Sequence, residues 1–222
     1  MSTSHDPKAP PESGELKLIL PISPISSQAK RLQREAAVEA VREVLRPLEY
    51  ILTGDVRFDL AWLVPGRLRY ESDISPDLEN ITKPLIDAFC GPEGILIDDC
   101  QIKSFSSAWM DWMGHDQQVW VTIEFIDNQF VLKQNLTFIQ IEGALCLPIE
   151  GHLEPRALKV WLEAYRSRID AWSKMQDLGV HDVHIRPLLP VHRVFHRTRI
   201  HGFRVVDLDT LERETAALPP AI

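Results

Sequence analysis

Apolar and polar residues follow two different periods along the first half of the chain, and these periods predict both strands and helices. Residues 16–20 form a short apolar run and residues 56–64 alternate loosely, so each stretch is typical of a strand with a buried face. Between them, residues 28–46 are strong helix formers with an apolar stripe opposite charged positions. Pro47 follows directly and ends this predicted helix.

The next predicted elements surround a segment that is rich in acids. A second helix is predicted at residues 80–89, where Pro84 is tolerated because the first turn of a helix has no intrahelical N–H bonds to lose. Residues 101–109 and 118–126 have the composition of two strands joined by a polar turn. This order of strands and helices predicts an α+β domain.

The chain divides into three regions by these patterns. Residues 1–14 are polar with several prolines, which predicts a disordered leader. Residues 15–127 hold the predicted α+β domain. Residues 128–222 form a C-terminal extension of α/β character whose fold the pattern does not define, with strand-like residues 136–149 and helix-like residues 155–178. We consider this extension a candidate region for binding DNA or a protein partner.

Composition favours a globular protein of the cytoplasm. Of the 222 residues, 45% are hydrophobic and 25% are charged. The first residues lack the apolar core of a secretion signal, and no apolar run approaches the roughly 20 residues that span a bilayer. Cys90, Cys100 and Cys146 form no C-x-x-C pair, which argues against a disulfide framework and a thiolate zinc site. We therefore expect a soluble protein in a reducing compartment.

The charge of the chain is unevenly distributed. Its net value is −8, from 24 Lys and Arg and 32 Asp and Glu, and this sign opposes non-specific coating of DNA. Residues 1–127 hold 12 basic and 21 acidic side chains, a net charge of −9, whereas residues 128–222 hold 12 and 11, a net charge of +1. Any affinity for DNA must therefore come from local basic patches.

Four acids lie where the predicted elements would bring them together. Asp77 and Glu79 precede the second predicted helix, whose N-terminal partial charge favours carboxylates. Asp98 and Asp99 follow the apolar residues 95–97, so a buried strand would deliver them near the same helix end. Converging carboxylates repel one another, and a divalent cation removes the conflict. Oxygen ligands of this kind suit Mg²⁺ or Mn²⁺, which can activate water for phosphodiester hydrolysis.

Lys83 lies four residues after Glu79 and four residues before Asp87. This spacing places the three side chains on one helix face. A lysine in that position can hold a phosphate oxygen or neutralise the charge that develops during hydrolysis.

Three short motifs between residues 76 and 102 occur in a fixed order. The first is Asp-x-Glu-Asn-x-x-Lys, from Asp77 to Lys83, and the second is Asp-Ala-Phe, from Asp87 onward. The third is Asp-Asp-x-Gln-Ile, which begins at Asp98 after the apolar residues. In this order and spacing the chain resembles the RusA family of Holliday junction resolvases. The resemblance is strongest over residues 76–102 and, from the order of strands and helices, extends over about residues 16–126.

The resemblance implies a RusA-like two-layer α+β domain with a mixed sheet and two main helices. It implies a homodimeric crossover junction endodeoxyribonuclease of DNA recombination and repair, whose two sites use Mg²⁺ or Mn²⁺ to hydrolyse phosphodiesters in branched DNA. By position, Asp77, Glu79 and Asp99 correspond to the essential acids of the family and Lys83 to its essential lysine. Asp98 is the neighbouring acid, so the predicted metal ligands are Asp77, Glu79, Asp98 and Asp99.

Glu79 departs from the family pattern, which usually has aspartate at this position. Its extra methylene moves the carboxylate outward by about one bond length. This leaves open a catalytically weakened RusA-like subunit that binds DNA or assembles with a partner. Two further alternatives also remain open. The acids can be simple helix-capping and turn residues, and the protein can be a metal phosphohydrolase that acts on small molecules.

A second candidate feature is the basic stretch at residues 184–204, which contains no acid. Phe195 and Phe203 lie among its arginines, a composition typical of a surface that contacts phosphates and stacks on bases. An equally weighted alternative is that these arginines pair with the acidic first half. The arginines predicted to bind DNA are Arg193, Arg197, Arg199 and Arg204.

Overall fold

The computed structural model describes residues 6–70, 77–151, 155–185, 193–207, 210 and 213. The protein is an α+β protein, as the sequence predicts. It forms two compact units, Met1–Gln134 and Asn135–Ile222. The division lies seven residues after the predicted one, because the strand at Phe130–Leu132 pairs with Tyr50–Leu52 in the first unit.

The first unit contains a four-stranded sheet, a two-stranded sheet and three helices among its described residues. Its elements in chain order are β1 (Glu15–Leu20), α1 (Arg31–Leu45), β2 (Tyr50–Leu52), β3 (Val56–Pro65), α2 (Gly66–Tyr70), α3 (Leu78–Phe89), β4 (Ile102–Trp112), β5 (Gln118–Glu124) and β6 (Phe130–Leu132).

The larger sheet has the strand order β1-β5-β3-β4. Strand β5 is antiparallel to both β1 and β3, whereas β4 is parallel to β3. A parallel neighbour needs a crossover connection, and α3 lies within the crossover from β3 to β4. The sheet is therefore mixed, with the long strand β4 at one edge. The two strands expected on either side of a polar turn, β4 and β5, are separated by β3.

One face of this sheet is buried under α1 and α3. Alternate residues of β3 point to this face, and among them Phe58 packs edge-on against Phe89 of α3 with ring centroids 5.1 Å apart. The opposite face is more polar, with exposed Arg57 and Glu124. This arrangement fixes α3 over the sheet beside β4.

Helix α3 begins two residues earlier than predicted, at Leu78, so Pro84 lies in the helix interior and not in the first turn. A proline there lacks the N–H group that would donate to the carbonyl oxygen of Asn80. The backbone N–H of Ser27 donates to that oxygen instead, at 2.8 Å. The chain before α1 thus replaces the hydrogen bond that Pro84 removes.

Two further predictions differ from the structure in detail. The described part of the predicted leader, residues 6–14, forms turns in which Pro7 accepts a hydrogen bond from the Glu49 N–H at 2.7 Å. Residues 95–97 are buried, as expected, but they make isolated β-bridges and no regular strand. Leu96 bridges both Leu52 and Cys90, which places the acids that follow beside the C-terminal end of α3.

The second unit contains a four-stranded sheet with the order β10-β7-β8-β9. Helix α4 packs on one sheet face, where Leu158 and Tyr165 lie against Ile139 and Leu147. Its elements are β7 (Leu136–Glu142), β8 (Leu145–Glu150), α4 (Pro155–Asp177), α5 (Asp182–Ile185), β9 (Phe195–His196) and β10 (Val205–Asp207). Within the described parts of the chain, no helix is both long and apolar enough to cross a membrane.

Candidate functional site

The segment that follows the buried residues 95–97 is held in place by Gln101, whose side chain is fully buried. Its amide oxygen accepts hydrogen bonds from the Ile97 and Asp98 N–H groups at 2.7 and 3.2 Å. Its amide nitrogen donates to the carbonyl oxygens of Leu52 and Gly54 at 2.9 and 2.8 Å. Gln101 therefore fixes the position of residues 97–101 against β2 and the turn that follows it.

Asp98 caps the short 3₁₀ turn at Asp99–Gln101. Its carboxylate accepts a hydrogen bond from the Cys100 N–H at 3.0 Å. This contact matches the simple turn that the sequence left open for the pair of acids. The cap also orients the next residue, because it fixes the backbone of Asp99 at the start of the turn.

Lys83 connects α3 with residues 98–101, which we call the acid segment. Its ammonium group lies 2.5 Å from a carboxylate oxygen of Asp87, one helical turn later, and 3.2 Å from a carboxylate oxygen of Asp99. Hydrogen bonding to Asp87 raises the pKa of Lys83, with a further contribution from Asp99. The lysine therefore bridges two acids that are 12 residues apart in the chain and keeps its positive charge between them.

The same acids influence Cys90 at the end of α3. Burial raises the pKa of this thiol to about 12, and the negative charges of Asp99, Asp98 and Asp87 add to the shift. The bridge between Cys90 and Leu96 accounts for this influence, because it brings the residues that follow Leu96 close to the C-terminal end of α3.

Asp77 and Glu79 lie at the other end of the helix. Asp77 occupies the N-cap position, but its side chain makes no capping hydrogen bond, so capping does not explain this acid. Glu79 is in the first turn and is exposed. Lys83 is six residues beyond Asp77, which is about 9 Å along the axis of an α-helix. The acid segment thus meets α3 in its later turns and not at the N-terminus that the sequence predicted.

A groove of about 400 Å³ lies between α3 and β4. Glu79 and Lys83 line it from the helix, and Phe105 and Ser107 line it from the edge strand. The groove places a carboxylate and an ammonium group on the helix wall, and an aromatic ring and a hydroxyl group on the strand wall. A groove of this kind can bind a ligand that carries both charged groups and flat apolar groups.

A second groove, of about 490 Å³, lies on the other side of Lys83, between α1 and α3. Sequence reasoning assigned the arginines of α1 only to the polar side of a helix. The structure places Arg31, Arg34 and Arg42 along this groove together with Lys83. Their spacing of three and eight residues, which places all three on one helix face, is the signal that could have identified them. Acids also line this groove, and Arg31 forms an ion pair with one of them, Glu35, at 3.3 Å.

The donor atoms of the predicted metal ligands are carboxylate oxygens, which suit Mg²⁺. Among the described residues, however, no group of three or more His, Cys, Asp or Glu side chains is arranged to hold a metal ion. The structure does bring Asp99 to Lys83, and it adds Asp87, which is not among the predicted metal ligands. The Mg²⁺ site stays a prediction.

The arginines predicted to bind DNA belong to the second unit. Arg197, Arg199 and Arg204 are exposed around a 3₁₀ turn and the start of β10. Arg193 is partly buried, with its guanidinium group 5.5 Å from the ring centroid of Phe195. The predicted role of Phe195 in base stacking is wrong, because its ring is only 1% exposed.

Fold and site together define an α+β protein with a lysine-bridged pair of carboxylates beside a groove. Comparison with models of known protein families finds no family that matches the chain. A search of curated proteins finds no match either.

Proposed function

We propose that this protein is a RusA-like, Mg²⁺-dependent endonuclease that hydrolyses phosphodiesters in branched DNA such as four-way junctions. In this proposal Asp77, Glu79 and Asp99 bind the metal ion, Asp98 supports the acid segment, and Lys83 contacts the phosphate. The observation that carries the proposal is the contact between Lys83 and Asp99, at 3.2 Å, across 16 residues of sequence.

The contact between Lys83 and Asp99 supports the proposal because a lysine on an ordinary solvent-exposed helix face needs no partner from a distant part of the sequence. Lys83 already has an ion-pair partner on its own helix, Asp87. A buried, fully hydrogen-bonded Gln101 holds the segment that presents Asp99 to the same ammonium group. Rigid support behind a charged group is typical of sites that need fixed geometry.

Lys83 would contribute through its charge. Phosphodiester hydrolysis places additional negative charge on the phosphate oxygens in the transition state, and a fixed cation at that position stabilises it. Asp87 and Asp99 keep the ammonium group protonated and in place. A divalent cation, when bound, would supply the activation of the attacking water.

The groove between α1 and α3 supports a nucleic-acid substrate. It presents Arg31, Arg34 and Arg42 next to Lys83, so a DNA strand whose scissile phosphate reaches Lys83 can place neighbouring phosphates along α1. Contacts of this kind position a strand without reading its sequence. Phosphate contacts of this kind fit an enzyme that selects the branched shape of DNA. From the resemblance to the RusA family, we also propose that the protein acts as a homodimer.

The test is cleavage of a synthetic four-way junction by the purified full chain with Mg²⁺ or Mn²⁺. We expect paired nicks near the branch point, and we expect Asp99→Asn to lower the rate at least about 100-fold, as for removal of an essential electrostatic group. Asp116→Asn is the matched control, because this exposed acid of the β4–β5 loop has the same side chain outside the site. The proposal fails if the wild type does not cleave with either metal or if Asp99→Asn cleaves equally well.

A second candidate function is a non-catalytic DNA-binding or assembly subunit with a RusA-like fold. The specific observation in its favour is that the ammonium group of Lys83 already neutralises Asp87 and Asp99, where the nuclease needs a metal ion near Asp99. Glu79 favours the same candidate, because its longer side chain differs from the aspartate of active family members.

Glu79→Asp separates the two candidates. In an active nuclease whose metal site is built for a glutamate at position 79, Glu79→Asp makes the ligand too short and lowers cleavage of the junction. In a weakened subunit it restores the family pattern and raises cleavage, at unchanged junction affinity measured in EDTA. A third candidate, a phosphohydrolase for small molecules, predicts that junction DNA does not compete with a small phosphodiester substrate at low salt.

A further inference from the structure

The basic residues of the second unit lie on a segment that crosses its sheet. Strands β9 and β10 are the two outer strands of this sheet, and residues 197–204 connect them. We call residues 197–204 the arginine segment. His196 pairs with Leu145 of β8 at one edge, and Val205 pairs with Phe138 of β7 at the other. The arginine segment therefore runs from one edge of the sheet to the other, on the face that Phe138 occupies.

Two apolar side chains attach the arginine segment to that face. Phe203 packs against the fully buried Phe138 with ring centroids 5.3 Å apart, and Ile200 is only 3% exposed. The next residue of β7, Ile139, points to the opposite face, where it packs with α4. The arginine segment and α4 therefore cover opposite faces of the same sheet.

The arginines of the arginine segment are exposed residues, and Arg197 also reaches the buried Cys146. Arg197, Arg199 and Arg204 are exposed, as are His196 and His201 beside them. The sequence contains no acid between residues 183 and 206. The nearest acid that follows, Asp207, accepts hydrogen bonds from the N–H and hydroxyl groups of Thr210, both at 2.7 Å. The arginine segment thus carries three exposed arginines and no acid of its own, in a chain whose net charge is −8.

We infer that the arginine segment is a binding surface for the phosphate backbone of DNA. It belongs to the second unit, whereas the groove beside Lys83 belongs to the first, and the inference is independent of the proposed nuclease activity. Its phenylalanine, Phe203, packs on Phe138, and the neighbouring Phe195 is buried against the same ring, so neither presents a free face for stacking on bases. Binding therefore comes from phosphate contacts alone, which makes it insensitive to base sequence and strongly dependent on salt.

The test is fluorescence anisotropy with short labelled duplexes of different sequence, in EDTA so that no cleavage occurs. The test variant is Arg199→Gln combined with Arg204→Gln; Arg197 is left unchanged because its guanidinium group hydrogen-bonds the buried Cys146 thiol. We expect at least about tenfold weaker binding at low salt. Because each lost phosphate contact changes the slope of log K against log salt by about 0.9, the slope should become shallower by about 2.

The matched control is Arg156→Gln combined with Arg166→Gln. These arginines are exposed on α4, so the control changes the charge of the same unit by the same amount away from the arginine segment. We expect its affinity and salt slope to stay close to the wild type. Replacing Arg199 and Arg204 with lysine retains both charges, and it should restore most of the salt slope, which loss of folding would not allow.

Three results would overturn the inference: equal losses in the test and control variants, an unchanged salt slope in the test variant, or binding that follows base sequence. An unchanged slope would point to an acidic protein as the partner. Asp99→Asn should bind the duplexes like the wild type. If the wild type binds in this way but does not cleave a junction with Mg²⁺ or Mn²⁺, the proposed nuclease fails and the binding surface stands.

Discussion

Two short segments of this protein carry charged side chains, and buried residues fix each segment in place. The kind of buried residue and the balance of charge differ between the two segments. In the first unit, Gln101 fixes the acid segment through four hydrogen bonds, and Asp99 meets a cation 3.2 Å away. In the second unit, Ile200 and Phe203 fix the arginine segment by apolar packing, and no acid occurs along it.

The difference indicates two kinds of interaction. Opposite charges that meet within a few ångströms cancel at long range and leave a strong local field, which suits the stabilisation of charge at one atom. Several charges of one sign on an exposed segment act over about 10 Å at ordinary ionic strength, which suits the attraction of a long polyanion. The acid segment therefore fits chemistry, and the arginine segment fits association.

The largest effect should come from breaking the polar anchor. Gln101→Met keeps the size of the side chain but leaves two N–H groups and two carbonyl oxygens without partners in a buried place. We expect a loss of about 4 kcal/mol in the free energy of unfolding, measured by urea denaturation. Gln33→Met on the exposed side of α1 is the control and should change stability by less than about 0.5 kcal/mol. A loss below 1 kcal/mol for Gln101→Met would show that water replaces these hydrogen bonds.

The apolar anchor should give a somewhat smaller effect. Ile200→Ala removes a buried side chain from beneath the arginine segment, and we expect a loss of about 3 kcal/mol in the free energy of unfolding. Because the arginines lose their attachment to the sheet, the salt slope of DNA binding should also become shallower. Val160→Ala, at an exposed position of α4, should change neither quantity. Full stability of Ile200→Ala would mean that this anchor does not hold the segment.

Replacement of Asp87 tests the charge balance at Lys83. The expected effect on junction cleavage rests on the proposed function. Asp87→Asn removes one of the two carboxylates that orient the ammonium group. We expect kcat for junction cleavage to fall about tenfold with KM unchanged, because positioning is lost and binding is not. The exposed ion pair itself should contribute less than about 1 kcal/mol to stability.

The matched variant is Asp87→Glu, which keeps the charge and should retain most of kcat. A change in KM alone for Asp87→Asn would show that Asp87 acts in binding DNA. An unchanged kcat in both variants would show that Asp99 orients Lys83 without help, and that the pair within α3 is a surface ion pair.

The sequence predicted the elements of the first unit well, because their apolar periods are strong and local. It placed β1, α1, β3, α3, β4 and β5 within a few residues of their observed bounds. The order of strands depended on pairing over long distances. Periodicity does not report that β3 lies between β5 and β4 or that α3 is a crossover between parallel strands.

The candidate site was predictable in its residues but not in its geometry. The motif spacing brought attention to Lys83 and Asp99, which do meet, but it directed Asp98 and Asp99 to the start of α3. The bridge between Cys90 and Leu96 directs them to its end instead. The groove arginines of α1 were missed because their relevance depends on packing between α1 and α3. The burial of Phe195 was missed because a short strand has too few residues to show which face is inside.

Pro84 should have the smallest effect of these changes, and it tests how α3 is supported. An interior proline costs about 3 kcal/mol relative to alanine when its absent N–H leaves a carbonyl oxygen without a partner and its ring strains the helix. Here Ser27 already donates to Asn80, so most of that cost is offset in the native chain. We therefore expect Pro84→Ala to change the free energy of unfolding by less than about 1 kcal/mol, because the new N–H competes with Ser27 for one oxygen. A stabilisation near 3 kcal/mol would show that the Ser27 contact contributes little, and that the helix beneath Lys83 is strained by its own sequence.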